Sequence, residues 1–346
     1  MLDKKIWQRL VITLIGILCI VGLGICAVHR LGRWNLEKDI TDLNLQIGTE
    51  ITGGNVDDII YQDKEYCYRE NLINILCMGI DKEEPMAMRN DADSSMGQAD
   101  AIFLLSIDLE QDKIRLIAIP RDTMVTLQKY TASGEYLGQE DGQITLQYAY
   151  GDGCTLSATL MAQQVSSILN HIPIHGYAAI NVYSLWGLNA AVGGVDVTMD
   201  ADYTAFNPAF IEGETVHLEG NLLENYIRER DKSDPDGAYT RMHRMKIYMM
   251  AFFEKAKGIF KEDMTLPVRF LSTLKDNLET DITADEVVYL VSKVIECSFL
   301  AEDMYTLPGD NLLIDGYMEY HLDKAGVMEL VLELFYEENN PLAFWK

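Results

Sequence analysis

Between Leu10 and Val28 the chain reads LVITLIGILCIVGLGICAV, nineteen residues without a charge. At about 1.5 Å per helical residue this is long enough to cross the hydrocarbon core of a bilayer. No other feature constrains the chain so strongly, because whatever follows must fold on one side of a membrane. Lys4, Lys5 and Arg9 precede the run, which favours a cytoplasmic N-terminus; His29, Arg30 and Arg33 follow it and weaken that bias. A cleaved signal peptide has a shorter apolar region that ends in a small-x-small site. Leu23–Cys26 (LGIC) is similar to a lipoprotein box, but Ile25 stands where a small residue belongs. The run is therefore read as an uncleaved signal anchor over 10–28, with 1–9 a cytoplasmic tail and the remainder extracellular.

That remainder has the composition of a folded domain, since the chain is 48% hydrophobic and 24% charged. It carries 54 acidic against 28 basic residues, a net charge of −26. Such a field repels phosphate backbones, so no nucleic-acid partner is expected. It also makes any local cluster of arginines conspicuous. Six cysteines are present without a Cys-x-x-Cys pair, which removes support for zinc ribbons and thioredoxin-like chemistry. The four beyond the anchor could make two bridges in three possible pairings, but Cys77 and Cys297 sit among apolar neighbours, which favours buried thiols.

Asn35 to Tyr68 is mixed and acidic, broken at GTEITGGNVDD, and 29–70 reads as a juxtamembrane stalk. Asn71–Asp81 is a short apolar run of buried-strand type, and 98–122 reads as strand, turn, strand. Then come an amphipathic helix at 160–172, a strand running into a helix at 176–188, and a strand at 193–199. A helix giving way to extended chain follows at 218–230, then a long helix at 241–260. Two further helices, 283–297 and 323–338, flank a short strand at 303–309. Strands alternate with helices without an internal boundary, which predicts a single α/β domain over 71–346, a central mixed β-sheet flanked by helices. The methionine and aromatic stripe from Met245 to Phe260 reads as core, or alternatively as the wall of an apolar cavity.

Three constellations carry chemistry. Arg228, Arg230, Arg241 and Arg244 fall within seventeen residues of a chain with twelve arginines. Arg228 and Arg230 are two apart, on one side of an extended backbone, and Arg241 and Arg244 three apart, on one helix face. Ion pairing with Glu229, Asp231, Asp234 and Asp236 would explain them; convergent guanidinium forks also suit a phosphate or pyrophosphate. Asp81 and Asp100 border apolar runs, as turn or capping residues do. Two such carboxylates together with phosphate oxygens and water also make a Mg²⁺ site. Finally, Pro120 ends a strand because it cannot donate to a ladder, leaving Arg121 and Asp122 at the sheet edge, in a plain surface turn or at a site. His171 and His175 are separated by Pro173, which argues against a helical zinc pair. Ser272–Lys275 matches Ser-x-x-Lys without its companion motifs, and Asp91–Asp100 lacks the glutamate that closes a calcium loop.

Taken in order, the anchor and six segments resemble the LytR-CpsA-Psr family across roughly 71–260. The segments are NILCMGID, GQADAIFLLSID, IAIPRDTMV, GYAAINVYSLWGLNAAVGGVDVTM, LEGNLLENYIRERD and DGAYTRMHRMKIYMMAF. The resemblance implies an α/β sandwich whose apolar tunnel takes a polyprenyl chain, with the pyrophosphate at its mouth. It implies a membrane-anchored phosphotransferase that moves a glycopolymer, such as a teichoic acid or capsular polysaccharide, from a polyprenyl-pyrophosphate carrier to a peptidoglycan sugar hydroxyl. Carried over by motif, Asp81 and Asp100 are the ligands of Mg²⁺ (or Mn²⁺). Arg121, Arg228, Arg230 and Arg241 form the pyrophosphate clamp with Arg244 beside them, and Asp122 orients Arg121. Asp81, Asp100, Arg121, Arg228 and Arg230 are the expected catalytic set, one aspartate near the metal taking the hydroxyl proton. Two positions depart from many relatives: Gln98 stands in place of an arginine and Met245 in place of a glutamine. Hydrolysis of the lipid pyrophosphate and non-catalytic holding of a polyprenyl lipid are the alternative functions. The glycopolymer and the oligomeric state stay open.

Overall fold

The computed structural model describes residues 58–82, 84–88, 97–231, 237–263 and 265–339. The cytoplasmic tail and signal anchor inferred from sequence lie outside the described residues. Among the described residues no helix is long and apolar enough to cross a membrane.

In chain order the strands are β1 (Ile59–Tyr61), β2 (Lys64–Tyr68), β3 (Leu72–Ile80), β4 (Ala99–Asp108), β5 (Lys113–Ala118), β6 (Met124–Tyr130), β7 (Tyr136–Gln143), β8 (Gly176–Asn181), β9 (Val195–Thr198), β10 (Thr215–Leu218), β11 (Leu278–Thr280), β12 (Met304–Thr306), β13 (Gly309–Ile314), β14 (Tyr317–Leu322) and β15 (Tyr336–Glu338). The α-helices are α1 (Thr155–Ile168), α2 (Val182–Ala191), α3 (Gly220–Arg228), α4 (Gly237–Glu262), α5 (Leu266–Leu274), α6 (Ala284–Val294) and α7 (Lys324–Phe335). Six strands make the central sheet in the order β11-β8-β3-β4-β5-β12. The sheet is mixed, with β3 parallel to β8 and β12 parallel to β5, while β3/β4, β4/β5 and β8/β11 are antiparallel.

The central strands are mostly apolar because both faces are covered. Their two-residue period divides them between two cores. Leu76, Met78, Ile102, Leu104 and Ile117 face a layer that includes residues of α1 and α7. Ile73, Ile75, Phe103, Ile114 and Leu116 face the opposite layer, where Met242, Met245, Met249, Met250 and Phe253 of α4 pack with Tyr289 of α6. A third cluster joins α3, α4 and the β9/β10 pair through Val195, Leu223, Tyr226 and Tyr248. The stripe of α4 is thus shared between two cores.

Two irregularities shape the edge at which the sheet will matter. Gly79 pairs with Ala101 and Ile80 with Ala99, so Asp100 is the extra residue of a bulge in β4. A bulge turns a side chain out of the regular alternation. Beyond β5, Pro120 starts a tight turn in which Thr123 donates to its carbonyl from both backbone nitrogen (3.0 Å) and hydroxyl (2.6 Å).

The structure moves one sequence boundary. Within the segment read as stalk (29–70), β1 and β2 belong to an antiparallel three-stranded sheet completed by β15. Tyr68 stacks edge-on against Tyr336 at 5.5 Å. The folded unit therefore begins before residue 71, because these strands find partners at the far end of the chain. Cys67, Cys77, Cys154 and Cys297 are free thiols, and burial pushes Cys77 and Cys297 up to about 11.

Leu76 is fully buried in the middle of the sheet. Leu76→Ala should cost about 2–5 kcal/mol, as expected for a leucine truncated in a core that cannot collapse. Urea unfolding of parent and variant measures this, and a loss below about 1 kcal/mol would show that the layer between β3 and α1 repacks.

Candidate active site

The carboxyl end of β3, the bulge in β4 and the turn after β5 lie side by side at one edge of the sheet. The C-terminus of α3 and the first turns of α4 face that edge. Together they enclose an open cavity of about 310 Å³. Asp81, Asp100, Arg121, Arg228, Arg230 and Arg241 all line it, with Leu185, Trp186, Ile227 and Met245 as an apolar wall. Charged residues as far apart in sequence as Asp81 and Arg241 are thus collected at one place.

Asp100 is the hub of this arrangement. One of its carboxylate oxygens accepts from Arg121, and the other lies 3.8 Å from Arg241. Arg241 also donates to the Asp100 carbonyl at 3.3 Å. Asp122 touches Arg121 from the other side, Oδ1 to Nε 3.4 Å, and the Asp122 carbonyl accepts from the Tyr320 amide of β14 at 2.8 Å. Arg121 is therefore held between two carboxylates. Burial draws Arg241 below the usual arginine value, opposed by Asp100 and reinforced by Arg121 and Arg230; it stays a cation at any physiological pH. The Nε of Arg241 is buried without a hydrogen-bond partner among the described residues, an orphan donor of the kind a bound anion satisfies.

Asp81 is more open. Its side chain is 56% exposed and its Oδ1 lies 3.9 Å from Arg228, which is itself held by Glu224 at 3.0 Å. The Asp81 amide donates to the Gln98 carbonyl at 2.9 Å, which fixes the two aspartate-bearing segments against each other. Two hard carboxylates on one cavity fit Mg²⁺, which keeps much of its hydration shell and takes phosphate oxygens as further ligands. No group of three or more His, Cys, Asp or Glu side chains suited to a metal occurs among the described residues. An ion here would accordingly need oxygens from a ligand or water to complete its shell.

A second, narrower cavity of about 40 Å³ shares Asp100, Arg121, Arg241 and Met245 with the first. Ile102, Phe103, Ile119 and Met242 add an apolar lining to it. Charged and apolar surfaces thus meet at Met245, which also packs in both the α3/α4 core and the sheet/α4 core.

The placement of the sequence-derived residues is uneven. Asp122 lines the narrow cavity and not the open one. Arg244, expected beside the clamp, faces neither: it is fully buried and its guanidinium lies over aromatic rings. The helical spacing of three did not put it with Arg241, because Arg241 points to the sheet edge while Arg244 points into the α3 core. Trp186, Leu185 and Tyr239 complete the two cavity walls and were not singled out from sequence, although each lies inside a quoted motif.

The profile of the LytR_cpsA_psr family matches residues 49–334. The polyisoprenyl-teichoic acid–peptidoglycan teichoic acid transferase TagU of Bacillus anthracis is 27% identical over 261 residues, covering 74% of this chain and 80% of that protein. Among solved structures, protein gbs0355 of Streptococcus agalactiae superposes with a TM-score of 0.58 at 21% identity, covering 76% of this chain and 87% of that one. TagT bound to LIIa-WTA gives 0.57 at 19% identity, covering 77% and 90%. At those identities the structural likeness speaks for the fold.

Asp100→Asn should lower the unfolding midpoint by the equivalent of about 1–3 kcal/mol, since it removes the carboxylate between two guanidinium groups. Inorganic pyrophosphate should restore the midpoint in the variant by supplying the missing negative charge. Thermal unfolding with and without pyrophosphate tests both; equal midpoints throughout would mean that the arginines do not need a counter-charge.

Proposed function

The chain belongs to the LytR-CpsA-Psr family, and from that premise we propose that it is a membrane-anchored extracellular phosphotransferase. Its donor is a glycopolymer on a polyprenyl-pyrophosphate carrier and its acceptor a sugar hydroxyl of peptidoglycan. The observation that carries this reading is the single cavity lined by Arg121, Arg228, Arg230 and Arg241 together with Asp81 and Asp100. Four guanidinium groups around one cavity, in a chain of net charge −26, match a concentrated anion such as a pyrophosphate. Relatives that act on polyisoprenyl-linked teichoic acid support the same substrate class.

The chain's residues divide the work. Arg121, Arg228, Arg230 and Arg241 bind the phosphate oxygens and neutralise the charge that gathers on them as the anhydride bond breaks, the main contribution a protein makes to phosphoryl transfer. Asp122 and Asp100 fix the Arg121 fork before the donor arrives, so little orientation is left to be done on binding. The acceptor oxygen attacks the phosphorus that carries the glycopolymer, a new phosphodiester forms, and polyprenyl phosphate departs with the bridging oxygen. Asp81, more exposed than Asp100 and less engaged by arginine, is the carboxylate freer to take the hydroxyl proton. Mg²⁺, held by Asp81 and Asp100 together with phosphate oxygens, would add further charge neutralisation. The polyprenyl chain would follow the narrow cavity between β4 and α4. Met242, Met245, Met249 and Met250 border that seam, and their flexible thioethers can open it into a tunnel.

The test uses the full chain in detergent with a polyprenyl-pyrophosphate-linked saccharide and Mg²⁺, with and without peptidoglycan oligomers. Release of polyprenyl phosphate should depend on acceptor and fall at least about 100-fold in Arg121→Ala, the scale for losing a charge-stabilising donor. Release independent of acceptor would make the protein a hydrolase, and binding with no release would make it a lipid-holding protein.

A further inference from the structure

Arg244 is the largest fully buried side chain of the described residues, yet it touches neither cavity. Its guanidinium carbon lies 4.3 Å from the ring centre of Phe206, 5.3 Å from Tyr203 and 5.7 Å from Tyr226. From inside this cage Nη1 donates to the Asn225 carbonyl at 3.4 Å and Nη2 to the Glu229 carbonyl. The cage is itself braced: Asp200 accepts from the Tyr203 hydroxyl at 3.0 Å and contacts His243, the neighbour of Arg244, at 2.7 Å. Burying a cation is costly unless it is hydrogen-bonded and faced by electron-rich groups, and here both kinds of compensation are supplied by groups that form no part of the cavity.

What the two carbonyls have in common is their position. They belong to the last turn and the C-cap of α3, where helix carbonyls lack intrahelical partners and carry the negative end of the helix dipole. Glu229 leaves the helix at φ −64°, ψ 139°, an extended conformation, and is flanked by Arg228 and Arg230. Both flanking side chains enter the open cavity. We infer that Arg244 is a positioning residue: by gripping the α3 terminus from within its aromatic cage, it sets the direction in which Arg228 and Arg230 present their guanidinium groups to the donor's phosphates. The inference rests on the proposed function and adds to it a residue that never meets substrate. Lysine cannot substitute, because a compact ammonium lacks the planar fork that spans two carbonyls while lying flat on a ring.

Affinity for a short-chain polyprenyl pyrophosphate, measured on the full chain by calorimetry, decides the matter through a double-mutant cycle. Arg244→Lys should weaken binding by about tenfold or more. Combined with Arg228→Ala it should add clearly less than the product of the two separate losses, since part of its effect passes through Arg228. Phe206→Leu, which loosens the cage while leaving the cation and its carbonyls in place, should weaken binding in the same direction and serves if the lysine variant does not fold. Parental affinity in Arg244→Lys, or losses that multiply independently, would overturn the positioning role while leaving the functional reading intact. A parent protein that does not bind polyprenyl pyrophosphate would overturn the functional reading and this inference with it.

Discussion

The contact on which the site depends is the carboxylate of Asp100 between Arg121 and Arg241. Those two arginines come from a turn after β5 and from the first turns of α4, and without a counter-charge they would repel each other across the sheet edge. The β4 bulge is what delivers that counter-charge: the register slip between Gly79 and Ile80 makes Asp100 the unpaired residue. Asp81 is tied to the same feature through its amide bond to the Gln98 carbonyl. One local departure from regular pairing therefore sets the positions of both aspartates and two arginines, and α3 brings Arg228 and Arg230 from the opposite side.

This construction explains how so acidic a chain can present a cavity lined by cations. At physiological ionic strength exposed charges are screened within roughly 8 Å, so the net charge of the surface matters less inside the cavity than four guanidinium groups on its wall. The apolar seam beginning at Met245 joins the charged cavity to the methionine-rich layer under α4. An amphipathic donor with a charged head and a hydrocarbon tail corresponds to that sequence of surfaces. On the proposed reading Arg244 extends the same logic outward by one layer, because it would hold the helix end that carries two of the cavity's arginines.

Much of this was legible in the sequence. The buried strands β3, β4 and β5 announced themselves as apolar runs, and Pro120 marked where the last of them stops. Asp81, Asp100, Arg121, Arg228, Arg230 and Arg241 were all identified from motifs and all line one cavity. The failures have physical causes. Spacing of three on a helix placed Arg244 beside Arg241, but helical spacing gives a face and not a partner, and the cage is assembled from Tyr203 and Phe206 of an upstream loop together with Tyr226 of α3. The β6/β7 and β13/β14 hairpins carry polar or mixed residues on exposed faces, so their period is weak. β1 and β2 read as stalk because their partner, β15, lies at the other end of the chain, and short half-exposed strands carry little signal of their own.

The most direct measurement is a structure of the full chain bound to a short-chain polyprenyl pyrophosphate. The account predicts phosphate oxygens within about 3 Å of the guanidinium nitrogens of Arg121, Arg228, Arg230 and Arg241, with the hydrocarbon entering between β4 and α4 past Met245. A pyrophosphate bound elsewhere, away from these four arginines and with the methionine seam unopened, would contradict it.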